Sequence, residues 1–277
     1  MKRYIDLHTH SNYSDGTDSP GQLIIKAKEA GLCAIALTDH DAVAGLNELT
    51  ESGLEHGVET VCGIEISSQM LDIEAHLLGY FISWNNRAMD DYLTLQKASR
   101  EEKISRTLIK LREIGFDISY EDFHESKGII TRGSIAGVMH KKGFIGYKNE
   151  AFEKYIGEGR PAFVDRERVS VTEALELVLE CGGIPVLAHP YLYDIDDAVF
   201  EAELARLVSA GLKGIEVMYS SKVTGSRELY YRSLAAKYSL LITGGSDYHG
   251  DNKTVTLGSV YDNAKVPYEL LEKLRAS

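Results

Sequence analysis

His8-Thr9-His10 sets two imidazoles two residues apart, so on an extended segment both side chains point the same way and can bind one ion together. Asp15, in the Ser14-Asp15-Gly16 turn, adds a carboxylate, and Asp247-Tyr248-His249 repeats the same-side spacing near the other end of the chain. With His40, Glu65, His76 and His189 the set comes to six imidazoles and three carboxylates. Such mixed nitrogen and oxygen donors suit Zn2+, Mn2+ or Fe2+, and the lack of thiolates argues for a catalytic site rather than a structural zinc cluster. Any one of these histidines alone reads as an ordinary core or surface residue. Gathered and buried without an ion, so many polar groups would cost roughly several kcal/mol each. His56, His124 and His140 fall in helical or loop segments and are expected at the surface.

The elements that must position these groups alternate short apolar runs with helical patterns, which points to a mostly parallel α/β layout. Strands are expected at Tyr4–His8, Cys33–Thr38, Thr60–Ile66, Ala75–Ile82, Ile184–His189, Gly214–Tyr219 and Leu240–Gly244. Six of these seven end in, or lead into, a metal-ligand type of residue. In a β/α barrel the carboxyl ends of parallel strands converge on one face, which would make neighbours of residues far apart in sequence. His76 is the misfit, because it opens its run; that strand either starts earlier, near Asp72, or runs in the opposite sense. Ser19-Pro20-Gly21 opens a first helix, with Ser19 as N-cap and Gly31 as stop signal, and a second is expected over Ala42–His56. From about Trp84 to Val169 the pattern turns helical and more charged, with a long amphipathic segment over Ala88–Ile114, as expected of an inserted subdomain. Helices resume at Thr172–Cys181, Asp197–Ala210 and Ser226–Tyr238.

The 277 residues suffice for one barrel with an insertion. A net charge of −12 argues against binding long duplex nucleic acid, which needs clustered Lys and Arg. The start of the chain breaks into Asp6, His8 and His10 where a signal peptide would need an apolar stretch, and no apolar run approaches the roughly 20 residues that span a bilayer. A soluble, cytoplasmic protein with no membrane partner is expected. Cys33, Cys62 and Cys181 are widely spaced with no C-x-x-C pair and read as reduced thiols.

The blocks Asp6-Leu7-His8-Thr9-His10-Ser11, Leu37-Thr38-Asp39-His40-Asp41, Gly63-Ile64-Glu65-Ile66-Ser67, His76-Leu77-Leu78-Gly79-Tyr80, Ala188-His189-Pro190 and Gly245-Ser246-Asp247-Tyr248-His249-Gly250 resemble the PHP (polymerase and histidinol phosphatase) family. The resemblance spans nearly the whole chain. It implies a distorted seven-stranded, TIM-like (β/α) barrel with two or three divalent metal ions. Carried over by position, it implies one ion on His8, His10, Glu65 and Asp247, a second on Glu65, His76 and His189, and a third on Asp15, His40 and His249, with Glu65 as a bridge. The activity implied is hydrolysis of a phosphate ester, since paired cations can clamp phosphoryl oxygens and acidify water without a protein nucleophile. Thr38 and Ser246 stand beside ligands and read either as groups that orient them or as ordinary strand-end polar residues.

The insertion resembles the cap of the subgroup containing nucleoside 3',5'-bisphosphate phosphatases and short-oligonucleotide 5' exonucleases, and this implies a barrel over 1–84 and 169–277 with a helical cap over 85–168. The matching stretch runs from Ile130-Thr131-Arg132 through Gly159-Arg160-Pro161-Ala162-Phe163. Arg132 and Arg160 are candidates for a second phosphate, because a guanidinium fork matches its geometry. Related sequences commonly have Arg-Pro-His where this chain has Arg132-Gly133-Ser134, so an imidazole is missing. Lys103, Arg106 and Lys110 share one side of the long helix as a solvated or rim-facing row, and Tyr147 and Tyr155 suit either base stacking or packing. The expected substrate is therefore a small phosphorylated molecule, a nucleoside 3',5'-bisphosphate or the 5' end of a short oligonucleotide. Histidinol-phosphate hydrolysis, a nonenzymatic accessory role and C–N bond hydrolysis are the rival readings.

Overall fold

The computed structural model describes residues 2–123, 130–165, 168–220 and 225–277. Two compact units emerge: Met1–Asp90 with Arg168–Ser277, and Asp91–Glu167. Among the described residues the strands are β1 (Tyr4–Asp6), β2 (Ala34–Leu37), β3 (Glu59–Met70), β4 (Ile73–Tyr80), β5 (Val169–Ser170), β6 (Ile184–Leu187), β7 (Gly214–Tyr219), β8 (Leu241–Gly245) and β9 (Val266–Pro267). The helices are α1 (Pro20–Glu29), α2 (Leu46–His56), α3 (Arg87–Glu113), α4 (Arg132–Lys141), α5 (Lys148–Ala151), α6 (Val171–Glu180), α7 (Asp197–Ser209), α8 (Gly225–Lys237) and α9 (Glu269–Arg275). The helix starts follow local chemistry. Ser19 and Gln22 form a capping box for α1 ahead of Pro20, and Ser170 with Glu173 does the same for α6.

In the first unit β1, β2 and β3 pair in parallel, β4 is antiparallel to both β3 and β6, and β6, β7 and β8 are again parallel. The segments leaving β1 and β8 then meet: Leu7 N donates to Gly244 O at 3.2 Å, Asp247 N to His8 O at 2.9 Å, and His10 N to Tyr248 O at 2.9 Å. These contacts draw seven strands into a nearly closed, TIM-like barrel. The two-residue strands β5 and β9 attach outside the ring, to β3 and β1. Gly245 is required at the seam, since a Cβ there would overlap the backbone nitrogen and Cβ of His8.

The misfit at His76 is resolved at β4. Its strand begins at Ile73, near Asp72 and ahead of Ala75, and also runs against its neighbours, so His76 is inside the strand. The cause is connection length: a parallel crossover needs about a dozen residues or more, whereas Leu71 and Asp72 alone join β3 to β4. Reversal places the start of β4 beside the ends of β3 and β6, with His76 opposite Ser67 and Leu77 opposite Leu187. The second helix also starts later than expected, at Leu46; ahead of it the chain turns at Asp41, which has a left-handed φ of 46° and accepts the Ser67 N–H at 2.9 Å.

Ile5, Leu7, Ala34, Ala36, Val61, Leu78, Tyr80, Val186 and Ala188 fill the barrel core, all fully buried. The second unit has a core of its own, with Ile104, Leu108 and Leu111 of α3 packed on Ile135 and Met139 of α4 and on Ile156. No helix among the described residues is long and apolar enough to cross a membrane. The three cysteines are free, with Cys181 buried and Cys33 and Cys62 half-buried.

Candidate metal centre

Each of the nine sequence-selected ligands belongs to the first unit, and all gather where the strands of the barrel end. Glu65 is at the middle. Its Oε2 lies 3.1 Å from His8 Nε2, 3.1 Å from His10 Nε2 and 3.3 Å from His40 Nδ1. Its Oε1 lies 2.9 Å from both His76 Nδ1 and His189 Nε2, which are 3.2 Å from each other. Asp247 Oδ1 faces His8 Nε2 at 3.5 Å and His10 Nε2 at 3.3 Å, so the two imidazoles of the His-x-His pair converge on one pair of carboxylates. Asp15 Oδ1 lies 3.2 Å from His249 Nε2, with His10 Nδ1 at 3.9 Å.

Three groups of donor atoms are close enough to share an ion: His8, His10, Glu65 and Asp247; His10, Asp15, His40 and His249; and His40, Glu65 and His76. The last overlaps the Glu65, His76 and His189 cluster just described. The donors fit cations better than they fit one another. Both ring nitrogens of the fully buried His10, together with His40 Nδ1 and His189 Nδ1, lack a hydrogen-bond partner although carboxylates stand near the first two residues. Close, misaligned lone pairs of this kind in a dry interior suit coordination to a shared cation.

The electrostatics of these side chains agree. Burial by itself disfavours every charge here, yet the neighbouring imidazoles hold Glu65 and Asp247 well below the ordinary carboxylate range. Burial likewise works against imidazolium, but Asp247 and Glu65 outweigh it at His10, raised to about 9, and Glu65 with Glu74 outweighs it at His76, raised to about 10. His40 goes the other way, to about 3, through burial and the positive charge of His10 and His76. Stripped of any ion, His10 and His76 would therefore be protonated at pH 7. Binding a divalent ion must expel them, so affinity will rise with pH toward about 9 and fall in acid. Calorimetric titration with Mn2+ in buffers of different ionisation enthalpy will show proton release near pH 7; a heat independent of buffer contradicts this.

Around the candidate ligands lies a second layer of hydrogen bonds. Asp6 accepts from Ser246 N and Oγ (2.9 and 2.5 Å), His8 N (3.2 Å) and Gly258 N (2.7 Å), tying the exits of β1 and β8 together. Asp39 accepts from Ser11 N, Ser11 Oγ and Ser14 Oγ at 2.7, 2.6 and 2.5 Å and so fixes the loop that carries Asp15. Thr38 Oγ1 donates to Thr9 O at 3.2 Å. Tyr219 OH and Lys253 Nζ both donate to Asp247 Oδ2, at 2.6 and 2.5 Å, leaving Oδ1 for the cluster. His189 and Asp247 themselves hold left-handed φ values of 25° and 54°, strain of the sort that collects at functional sites.

Thr38 and Ser246 were visible beside ligands in the sequence, whereas Tyr219, Lys253 and Glu216 were not singled out. Glu216 is completely buried in β7, with Oε1 3.0 Å from His8 Nδ1 and Oε2 accepting the His189 N–H at 2.8 Å. A lone carboxylate inside an otherwise apolar strand was the signal for it.

In the second unit Arg132, half-buried, lies over the Phe163 ring at 5.9 Å, and Arg160 is exposed. Lys110 Nζ donates to Phe163 O and Arg106 pairs with Glu102, so these two members of the basic row have local partners. Tyr155 packs edge-on against Phe116, and Tyr147, largely exposed, donates to Glu153. His56 reaches back to Ser52 O within α2 and His140 is exposed. His124 lies outside the described residues.

A barrel whose strand ends converge on imidazoles and carboxylates defines the class of barrel metallohydrolases. Comparison with known proteins narrows it. A family model described as the PHP domain matches residues 6–160. A 5'-3' exoribonuclease of Haemophilus influenzae is 30% identical over 263 residues, covering 95% of this chain and 96% of that one. A 3',5'-nucleoside bisphosphate phosphatase of Chromobacterium violaceum is 27% identical over 248 residues, 88% of this chain and 87% of its own. The crystal structure of a provisionally named metal-dependent phosphoesterase from Bifidobacterium adolescentis superposes with a TM-score of 0.88 at 27% identity, covering 99% of this chain and 96% of that one. The chain belongs to the PHP family. It is a metal-dependent phosphoesterase.

Proposed function

We propose that the protein releases phosphate or a nucleotide from a small phosphorylated nucleotide, either a nucleoside 3',5'-bisphosphate or the 5' end of a short oligonucleotide. The Glu65-centred cluster of imidazoles and carboxylates carries this reading, and the bisphosphate phosphatase and exoribonuclease among the relatives supply its substrate class. His8, His10, Glu65 and Asp247 would hold one ion, Glu65, His76 and His189 a second, and Asp15, His40 and His249 a third. Mn2+, Zn2+ and Fe2+ all suit these donors. When bound, such ions polarise phosphoryl oxygens and lower the pKa of water. The protein's own groups place the charge: Glu65 offers one oxygen to each of two clusters, and Tyr219 and Lys253 keep Asp247 turned toward the histidines. No protein nucleophile is required.

The helical insertion over 85–168 contributes the substrate selectivity in this proposal, with Arg132 and Arg160 anchoring a second phosphate. Losing one charge-assisted contact of about 1.5–3 kcal/mol corresponds to roughly 10- to 100-fold. Arg132→Ala and Arg160→Ala will each raise KM for adenosine 3',5'-bisphosphate by about that factor while leaving p-nitrophenyl phosphate turnover within about twofold. The deciding assay is a Mn2+-supplemented panel of adenosine 3',5'-bisphosphate, short 5'-phosphorylated oligoribonucleotides and histidinol phosphate. Turnover of either nucleotide substrate is expected. Turnover of histidinol phosphate alone would overturn the proposal.

A further inference from the structure

The carboxylate of Glu216 is the one fully buried acid of β7, and it touches two candidate ligands that arrive on different strands. One oxygen lies 3.0 Å from His8 Nδ1. The other accepts the backbone N–H of His189 at 2.8 Å, at the residue whose φ and ψ of 25° and 59° turn the chain out of β6. On the far side of the His8 ring, Nε2 faces Glu65 Oε2 at 3.1 Å and Asp247 Oδ1 at 3.5 Å.

A His8 ring that ligates an ion is neutral, and with Glu216 Oε1 as the acceptor facing Nδ1 its one proton must sit on Nδ1. That leaves the Nε2 lone pair aimed at Glu65 and Asp247. We infer that Glu216 is a positioning residue of the centre: it fixes the His8 tautomer so that Nε2 can ligate, and it holds the His189 backbone in the turned conformation that brings its ring to Glu65. This inference rests on the proposed metal centre. A buried carboxylate behind a metal-binding imidazole raises the basicity of the ligand and sets its orientation.

The substitution Glu216→Gln separates this role from plain packing. The amide has nearly the same shape but only one acceptor oxygen. The His189 N–H is always a donor and claims that oxygen, which turns the NH2 toward His8 Nδ1 and forces the His8 proton onto Nε2. The lone pair is then lost to the ion.

The test is a chelator-competition titration with Zn2+, together with 15N spectra of the histidine rings in the Zn2+-loaded protein. The wild-type protein is expected to bind Zn2+ and to show His8 protonated at Nδ1. Glu216→Gln is expected to weaken one bound ion by about 10- to 100-fold, and Glu216→Asp, which keeps the charge and both acceptors, must bind it more tightly than Glu216→Gln. Equal affinity in wild type and Glu216→Gln overturns the inference and leaves the metal centre standing, as does equal affinity in the two variants. Failure of the wild-type protein to bind any divalent ion overturns the metal centre itself. Should Glu216→Gln not fold, the wild-type spectrum still decides: a His8 proton on Nε2 in the loaded protein contradicts the assignment.

Discussion

Replacing Glu65 with glutamine will lower phosphate release by roughly a thousandfold, about 4 kcal/mol of transition-state stabilisation, and will cost two of the ions proposed to bind there. Among the described residues Glu65 is the side chain that contacts five of the six clustered imidazoles, three through Oε2 and two through Oε1. Removing one partner from a buried charge constellation typically costs about 3–5 kcal/mol, because the remaining charges lose their compensation. Glutamine keeps the volume and takes away the charge, so the effect will appear without a cavity. Elemental analysis of the purified variant and steady-state kinetics on adenosine 3',5'-bisphosphate check both halves. Full metal content, or activity within tenfold of the parent, would show that Glu65 does not hold the ions.

Stripping the metal with a chelator will abolish turnover and lower the melting temperature, and readdition of Mn2+ will restore both. An ion held at 100 times its dissociation constant stabilises the native state by about 2.7 kcal/mol, so two sites contribute about 5 kcal/mol. For a chain of this size that is a shift on the order of 10 °C or more. The stripped protein will still fold at neutral pH, because His10 and His76 then carry protons that offset Glu65 and Asp247. The sign follows from the raised pKa values: this stabilisation is complete below the ordinary histidine range and is lost as pH climbs through about 9 to 10. The melting temperature of stripped protein will therefore fall on the alkaline side more steeply than that of loaded protein. Differential scanning calorimetry of both forms across pH checks this, and identical curves would contradict it.

Much of the barrel was legible because apolar strands and amphipathic helices have different periods, and because the seven expected strands match β1, β2, β3, β4, β6, β7 and β8 in order. Periodicity carries no sign for strand direction, which is why His76 stood out as the misfit. The eight residues 67–74 between the expected third and fourth strands were the available clue, being too few for a parallel crossover. The hairpin that results extends β3 to Met70, past the expected end at Ile66, since each added residue finds a partner on β4.

The histidines and acids of the candidate centre were readable from residue type and position at strand ends. Their supporting partners were less so. Asp6 and Asp39 sat inside the motifs, but a carboxylate that binds loop amides looks in sequence like one that binds an ion. Only the contacts to Ser246, Gly258, Ser11 and Ser14 tell them apart. Glu216 reaches His8 across a separation of 208 residues, a pairing that no local pattern encodes. In the insertion, Tyr155 answers to packing against Phe116, an outcome its sequence context left open.

The most direct measurement is anomalous diffraction at the manganese edge from crystals grown with Mn2+. Two or three peaks are expected inside the barrel mouth, one of them bounded by His8, His10, Glu65 and Asp247, with Glu65 touching two ions. Peaks confined to surface carboxylates, with none among these residues, would contradict it.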